Sequence, residues 1–593
     1  VLTTSREALA VSGEKLWPVD PLEFSQEDVD YAAPEAIETL LHVPAIKLFV
    51  ERAQAVDPHF VLDHSTAAYV DEICRRLDGL PLAIELAASR ARTIGVDQIA
   101  NRLDQRFRLL KGSQRGTDLR HQTLRDTVHW SFELLTPEDQ RLFSELSVFA
   151  GRFDLDAMEA VCGEDLDTDV IDLISRLVER SMVTVKRSEQ ALLNYELLDT
   201  MRVFGREQLS PEKNERLSDR HAQHYASMAA RIEAGLKTDS ETIVMQSTNT
   251  AFADFRAAHL HNIASMNVDQ EMQLVSATRE YAMRSMRYEV LSWADSAIEL
   301  ERAEKHALFP IVLGIQAYAA WVRGDFNQAM TLASRVSDEE SARGLEPNGL
   351  AERVLANVLF VQGETDAGFV QTARQLELAE ASGDLSRLTH ACYMHSIAQS
   401  SEGDPEYAGE LAQRAKEYGA RSGSPTDVAC GYAALGFHLH QDSDAALNAF
   451  SRAEDIANQA GNRWLRTFVR TEVCRLLLDR GDLDQARNSL AKVVDVWFRA
   501  GEWAQQWLTL TGCVVALHQL GNQELATLSI GAIEKRATLG ALPVTASLRE
   551  QAFDVAASLK KQLGEEQYLK LTAEGAELPV TEIVQRNRSA LLS

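Results

Sequence analysis

Along the second half of the chain, apolar residues recur at helical spacing in blocks separated by short polar joints. Leu350 to Val361 and Thr467 to Leu478, for example, read as amphipathic helices. The joints share one pattern: a turn residue, then an acidic or amide residue, then a small residue five positions after the first. It stands at Gly324-Asp325 with Ala329, at Gly363-Glu364 with Gly368, and at Gly403-Asp404 with Ala408. It returns at Gln441-Asp442 with Ala446, at Gly481-Asp482 with Ala486, and at Gly521-Asn522 with Ala526. Successive copies lie 38 to 40 residues apart, and a weaker copy sits near Ser285, ahead of Tyr288 and Trp293. Each unit predicts an αα-hairpin. The turn residue supplies the positive φ that ends one helix, the acid or amide caps the next, and the small residue lets two helices approach. One hairpin cannot bury its apolar face, but a stack can.

The first half has a different texture. Thr3-Thr4-Ser5-Arg6-Glu7 follows an apolar strand start, and an Arg just past a strand end lies where open α/β sheets bind ligands. A guanidinium there can reach a terminal phosphate; a plain surface Arg is the alternative. In the stretch from Cys74 to Ala87 (CRRLDGLPLAIELA), Gly79 fits the end of one helix and Pro81 the first turn of the next. A flat Pro at that corner can pack on a purine ring; a simple helix–turn–helix is the alternative. Further on, Ser181 to Lys186 and Leu192 to Leu198 flank a polar turn, Arg187 to Gln190, and read as the β-wing of a winged helix. A helix from Thr200 to Leu209 follows.

Composition narrows these readings. At 593 residues the chain needs several cores. No apolar run approaches the ~18 to 20 residues that span a bilayer, and no signal peptide is seen, so the expectation is cytoplasmic. The chain opens at Val1 inside an apolar-then-polar run, which reads as a cut through a buried strand. A formal net charge of −28 repels phosphate backbones and argues against a surface built to coat nucleic acid. The basic residues Arg102, Arg106, Arg108, Lys111, Arg115, Arg120 and Arg125 keep DNA binding by the winged helix as an alternative. The six cysteines are scattered and read as reduced, buried thiols. His221 and His224 are one helical turn apart; two ligands do not make a zinc site, and they read as surface histidines. There is no Gly-x-Ser-x-Gly elbow, no metal constellation and no catalytic residue to assign.

Taken together, the first-half stretches resemble the STAND nucleotide switches, in particular the NB-ARC-like predicted ATPases of bacterial regulators. The matching segments are Thr3 to Glu14 (TTSREALAVSGE), Ala45 to Arg52 (AIKLFVER) and Cys74 to Arg90 (CRRLDGLPLAIELAASR). Leu124 to Ala150 and Leu177 to Leu209 continue the likeness. The resemblance implies that Arg6 senses the γ-phosphate and Pro81 contacts adenine, with Ser5, Gly79 and Leu80 as neighbours. Many relatives carry Met-His-Asp at the end of the wing, with the His on the ADP β-phosphate. The positions here are Leu197, Leu198 and Asp199, so Leu198 and Asp199 mark the switch junction without that His. The family's P-loop, G-x-x-x-x-G-K-[ST], is not in this chain, nor is its acidic Mg-binding strand. The repeats are similar to the tetratricopeptide class, whose period is about 34 residues.

The resulting expectation is a mostly α chain. It comprises a remnant of an α/β nucleotide-binding domain (1–64), a helical lid (65–118), a winged helix (119–212), a right-handed-type αα-hairpin solenoid (213–578) and a C-terminal tail (579–593). ATP or ADP with Mg would belong to the longer parent, and this chain alone would be inactive. Its concave repeat surface would take an unknown inducer or protein, with self-association as a further option and no membrane partner. The parent would control transcription or a nucleotide cyclase. A protein-interaction scaffold with a vestigial switch is the alternative.

Overall fold

The computed structural model describes residues 21–25, 31, 36–91, 95–102, 128–129, 131–164, 168–187, 193–537 and 546–592. Ser5, Arg6 and the basic residues Arg106, Arg108, Lys111, Arg115, Arg120 and Arg125 lie outside them. Among the described residues the chain is helical apart from one two-stranded sheet. It divides into two units, Val1–His224 and Tyr225–Ser593.

In the first unit, five helices come first: α1 (Ala36–Leu41), α2 (Pro44–Val56), α3 (Ala67–Arg76), α4 (Pro81–Arg90) and α5 (Val96–Arg102). Their apolar faces meet around Phe49, Val70, Ile73, Ile84 and Ile99, all buried. A strap through Leu22 to Ser25 and Tyr31 is tied down by one fully buried carboxylate, Asp71 on α3. Asp71 accepts the Ser25 hydroxyl, the Tyr31 hydroxyl at 2.7 Å and the Arg75 guanidinium at 2.6 Å. Burial, and then the charge of Asp71, push the Tyr31 phenol up to about 12, so it donates its proton at any ordinary pH.

Next come α6 (Pro137–Glu145), α7 (Leu155–Cys162), α8 (Val170–Glu179), the strands β1 (Thr184–Arg187) and β2 (Leu193–Glu196), and α9 (Asp199–Glu207). Thr136, Asp154 and Asp169 cap the three helices through their side chains. The strands pair antiparallel with Val185 opposite Tyr195, and Phe153 bridges the other edge of Tyr195. Phe204 of α9 meets Phe132 edge to face, and Phe143 lies tilted against both. This is the expected three-helix-plus-wing arrangement. His221 departs from its sequence reading: it is only 2% exposed and packs edge-on against Phe149 at 5.6 Å. Its imidazole completes an aromatic cluster, a role that two histidines one turn apart do not signal.

The boundary between the units falls within α10 (Pro211–Gly235). The second unit continues with α11 (Glu241–Thr250), α12 (Phe252–Ala264), α13 (Val268–Ser285), α14 (Glu289–Ile298), α15 (Phe309–Arg323) and α16 (Phe326–Arg343). Then follow α17 (Leu350–Val361), α18 (Thr365–Ser382), α19 (Leu385–Glu402), α20 (Pro405–Ser422), α21 (Pro425–His438) and α22 (Ser443–Gln459). The last are α23 (Arg463–Arg480), α24 (Leu483–Ala500), α25 (Trp503–Gln519), α26 (Gln523–Ala537), α27 (Ala546–Leu563), α28 (Glu565–Glu577) and α29 (Val580–Leu592).

The joint pattern works in full at Gly324-Asp325 and at Gly521-Asn522. Gly324 ends α15 at φ +81, and Asp325 caps α16 through Gln328 N; Gly521 is left-handed at φ 78, and Asn522 accepts from Leu525 N. Ala329, Ala408, Ala446, Ala486 and Ala526 are all fully buried. At Gly363 and Gly481 the left-handed turn is present, but Glu364 and Asp482 make no side-chain cap. Two further copies lack the turn. Gly403 sits at φ −122, and Gln441 is no glycine and does not appear among the positive-φ residues. There the helix start alone carries the joint, since Asp404 and Asp442 cap α20 and α22. The weak copy near Ser285 uses Met286, left-handed at φ 60. The segment read as a tail is α29, packed on α24 with Ile583, Val584 and Leu591 buried, so the array runs past 578.

One property of the array is not visible in any single hairpin. Besides packing on its neighbours, α11 touches α21, α13 touches α23, and α15 touches α25. The offset is ten helices each time, so the stack returns on itself after five hairpins. The returning turn is pinned by specific contacts. The Tyr288 hydroxyl donates to Glu502. Trp503 lies on Gly324, where any Cβ would stand 2.6 Å from the indole. Lys237 meets Asp384 at 2.9 Å. The most elaborate is Glu241, fully buried. It accepts from Arg284 at 2.7 Å, from Ser424 Oγ at 2.7 Å, from the backbone N–H of Thr426 at 2.8 Å and from the Thr426 hydroxyl. That carboxylate sits at the amino-terminal end of α21, where the helix dipole favours it.

Candidate functional site

Two places gather chemistry, one in each unit. In the first unit, α3 ends in two consecutive left-handed residues, Asp78 (φ 55) and Gly79 (φ 64). Gly79 N–H returns to Cys74 O at 3.1 Å, and Gly79 O accepts from Leu22 N at 3.0 Å. A Cβ on residue 79 would stand 2.0 Å from Leu22 O, so only glycine allows the strap to cross here. Leu80 is extended and half-buried against the core of these first helices, and Pro81 opens α4 with its ring exposed. Pro fits this position because its missing N–H would have no helical partner.

The same corner reaches the winged helix. Leu198 is the N-cap residue of α9 and has no side chain able to cap. Asp78 does this instead: its carboxylate accepts from Thr200 N at 3.3 Å, across 122 residues of sequence. Asp199, the first residue of α9, pairs with Arg202. Gly79 and Leu80 follow Asp78 in the same loop, so this bond brings the Gly79–Pro81 corner to Leu198 and Asp199. The sequence reading named these residues from a resemblance and missed Asp78, whose cue was an acid held just before the glycine. Arg6 and Ser5 fall outside the described residues.

In the second unit a cavity of about 160 Å³ lies inside the array. Four successive odd-numbered helices begin beside it. Gly349 and Leu350 open α17, Ser386 and Arg387 open α19, Thr426 and Asp427 open α21, and Trp464 and Leu465 open α23. Their lining is charged: Lys237, Arg279, Arg284, Arg353 and Arg387 against Glu233, Glu280 and Asp427. Arg279 is paired with Glu233 at 2.7 Å, Arg284 with Glu241, and Lys237 with Asp384. Burial alone would raise Glu280, but Arg279, Arg284 and Arg353 outweigh it and hold the carboxyl below its usual range. Burial lifts Asp427 to about 6 against the pull of Arg284. His390 is driven down to about 3 by burial and by the Arg353 cation, so it stays neutral. No sequence motif pointed to this cavity, because its residues come from five hairpins. The one local sign was an Arg at 353 inside the apolar run of α17.

Among the described residues no group of His, Cys, Asp and Glu is arranged to hold a metal ion. All six cysteines are buried, and no described helix is long and apolar enough to cross a membrane.

Comparison with known proteins bears on both units. A Mycobacterium tuberculosis protein whose name places it among HTH-type transcriptional regulators is 31% identical over 435 residues, covering 70% of this chain and 46% of that protein. An uncharacterised protein of the same organism is 39% identical over 213 residues, covering 35% of this chain and 50% of that protein. The chain therefore spans about half the length of the curated relatives it matches. Among solved structures, a STAND protein with a tetratricopeptide repeat sensor from Pyrococcus horikoshii aligns with TM-score 0.37 at 14% identity, over 86% of this chain and 74% of that one. A Rap protein complexed with competence and sporulation factor aligns with TM-score 0.39 at 13% identity, over 62% of this chain and 99% of that one. Residues 135–210 match the family model of the winged helix-turn-helix domain, the stretch in which α6 to α9 and the β1–β2 wing are found.

Proposed function

We propose that this chain is the sensing and transmitting part of a STAND-type transcriptional regulator. In the longer parent, ATP or ADP held by an upstream P-loop module sets the position of the winged helix. The helical array biases that choice by binding an inducer or a protein partner.

The observation that carries this reading is the cap that Asp78 places on α9. The loop that covers adenine in the resemblance also holds the first turn of the helix that leaves the winged domain. A displacement at Pro81 is thereby felt at Leu198 and Asp199. The exposed ring of Pro81 fits a purine face; Arg6 would meet the terminal phosphate, and Mg would be held upstream. Leu198 offers no hydrogen bond to a phosphate, so retention of ADP at this junction rests on the lid and its cap. The relative named as an HTH-type transcriptional regulator supports control of transcription as the output. An inducer shifts such a switch only by binding one of its states more tightly than the other.

The test uses the longer protein with its upstream half. Asp78→Ala removes a helix cap worth roughly 1 kcal/mol, which corresponds to about a fivefold faster release of ADP and a raised uninduced reporter signal. Unchanged ADP release together with an unchanged reporter would remove the coupling.

A further inference from the structure

We infer that the cavity inside the array is a binding site for a small organic anion, a carboxylate or phosphate ester, held by Arg353, Arg387 and the Tyr393 hydroxyl. This deepens the proposed sensor role and rests on it only for its biological meaning; the site itself stands on geometry.

The argument starts from charge. With Arg279, Arg284 and Lys237 each in contact with a carboxylate, Arg353 and Arg387 are the lining cations that make no direct ion pair among the described residues, although Arg353 lies in the field of Glu280 and Glu502 and Arg387 in that of Glu340. Arg353 touches Met283 Sδ at 3.8 Å and lies over the Tyr318 ring at 5.1 Å, while its Nε is buried with no acceptor among the described residues. Arg387 donates to the Pro347 carbonyl, at 3.2 Å. Unpaired guanidiniums in a confined space call for an acceptor of planar, multidentate kind.

A second observation is independent of charge. Tyr393 lines the cavity, is 1% exposed, and its hydroxyl has no hydrogen-bond partner among the described residues. A buried unsatisfied hydroxyl is costly, and a ligand oxygen at this point would satisfy it.

A third is the fold itself. The amino-terminal ends of α17, α19, α21 and α23 converge on the cavity, and each carries partial positive charge. The protein already uses this field for its own groups. Glu241 occupies the end of α21 and Asp384 the end of α19, whereas α17 and α23 are capped by the neutral amides of Asn348 and Asn462, the former held in turn by Glu340. Of these two ends, that of α17 has Arg353 in its first turn and Arg387 beside Gly349, and it is the one we assign to an outside anion. The volume, about 160 Å³, suits a molecule of roughly benzene size and not a folded segment. Of the acidic lining, Glu233 and Glu280 share Arg279, and the Asp427 carboxylate accepts from Ser386 Oγ at 2.9 Å with one oxygen, while its other has no partner among the described residues.

The experiment is calorimetric titration of the whole chain with benzoate, succinate and phenyl phosphate, with benzamide and benzylamine as neutral and cationic counterparts. At least one anion should bind one-to-one, with the carboxylate and phosphate arms separating the two chemistries. Arg353→Gln and Arg387→Gln should each weaken it by at least about tenfold. Tyr393→Phe should weaken it with an unchanged melting temperature, which sets aside misfolding. Failure of all three anions, equal binding of benzamide or benzylamine, or undiminished binding in both Arg variants would overturn the site. Anion binding that leaves nucleotide retention in the longer protein unchanged would keep the site and remove only the sensor reading.

Discussion

Asp78 and Glu241 do the same thing in different surroundings. Each is a carboxylate from one element that caps the amino-terminal end of a distant helix, α9 in the first case and α21 in the second. Asp78 accepts from Thr200 N at 3.3 Å at a half-buried loop, in a left-handed conformation that a non-glycine residue rarely adopts. Glu241 does it fully buried, with both oxygens engaged by four donors, one of them a guanidinium. The first stays within reach of water. The second is a staple, because separating it would leave a charge stranded away from water. The depth of a cap, more than its chemistry, decides whether it serves motion or permanence.

The sharpest way to break this contrast is Glu241→Ala. Removing one partner of a buried ion pair costs about 3 to 5 kcal/mol, so denaturant unfolding of the second unit should shift by that amount while the winged helix keeps its own transition. A loss below about 1 kcal/mol would mean that the staple is a surface-grade contact.

Glu502 is the next test, being as deeply buried as Glu241 but without an ion-pair partner among the described residues. Burial raises it to about 7, with the Tyr288 hydrogen bond opposing. A carboxyl that ionises at about 7 when folded and near 4.5 when unfolded binds a proton more tightly in the native state. Its contribution is thus complete below the unfolded value and is lost as pH rises through 7. Glu502→Gln should therefore overtake the wild type in stability between pH 5 and 8, by up to about 3 kcal/mol. A pH-independent difference would show that Glu502 is charged throughout.

The smallest effect on stability belongs to Asp78→Ala, roughly 1 kcal/mol, read as faster amide hydrogen exchange at the start of α9. Protection equal to the wild type at Thr200 would mean that the cap is incidental.

These residues also show what was legible beforehand. The hairpins were, because Gly324, Asp325 and Ala329 act within a few residues of one another and the pattern repeats. Gly79 and Pro81 were for the same reason: turn chemistry is local. The wing was, from two apolar runs around a polar turn. The return of the array was not, because Tyr288 meets Glu502 across 214 residues and Glu241 meets Thr426 across 185, with no periodic trace. Asp78 escaped notice because its partner is 122 residues away. The cavity escaped too, since Arg353, Arg387 and Tyr393 become neighbours only once the hairpins are stacked. At Gly403 the expected left-handed turn is absent, and the capping Asp404 suffices.

The ten-helix return has a consequence for how such a chain can change. An open repeat array tolerates the gain or loss of a unit, since each repeat leans only on its neighbours. Here the gain or loss of one hairpin between α14 and α21 would rotate these cross-turn partners by about a fifth of a revolution, parting Tyr288 from Glu502 and Glu241 from Thr426 at once. The number of units is thereby locked like the teeth of a gear, and insertions are expected to collect in the links between helices instead of in whole repeats.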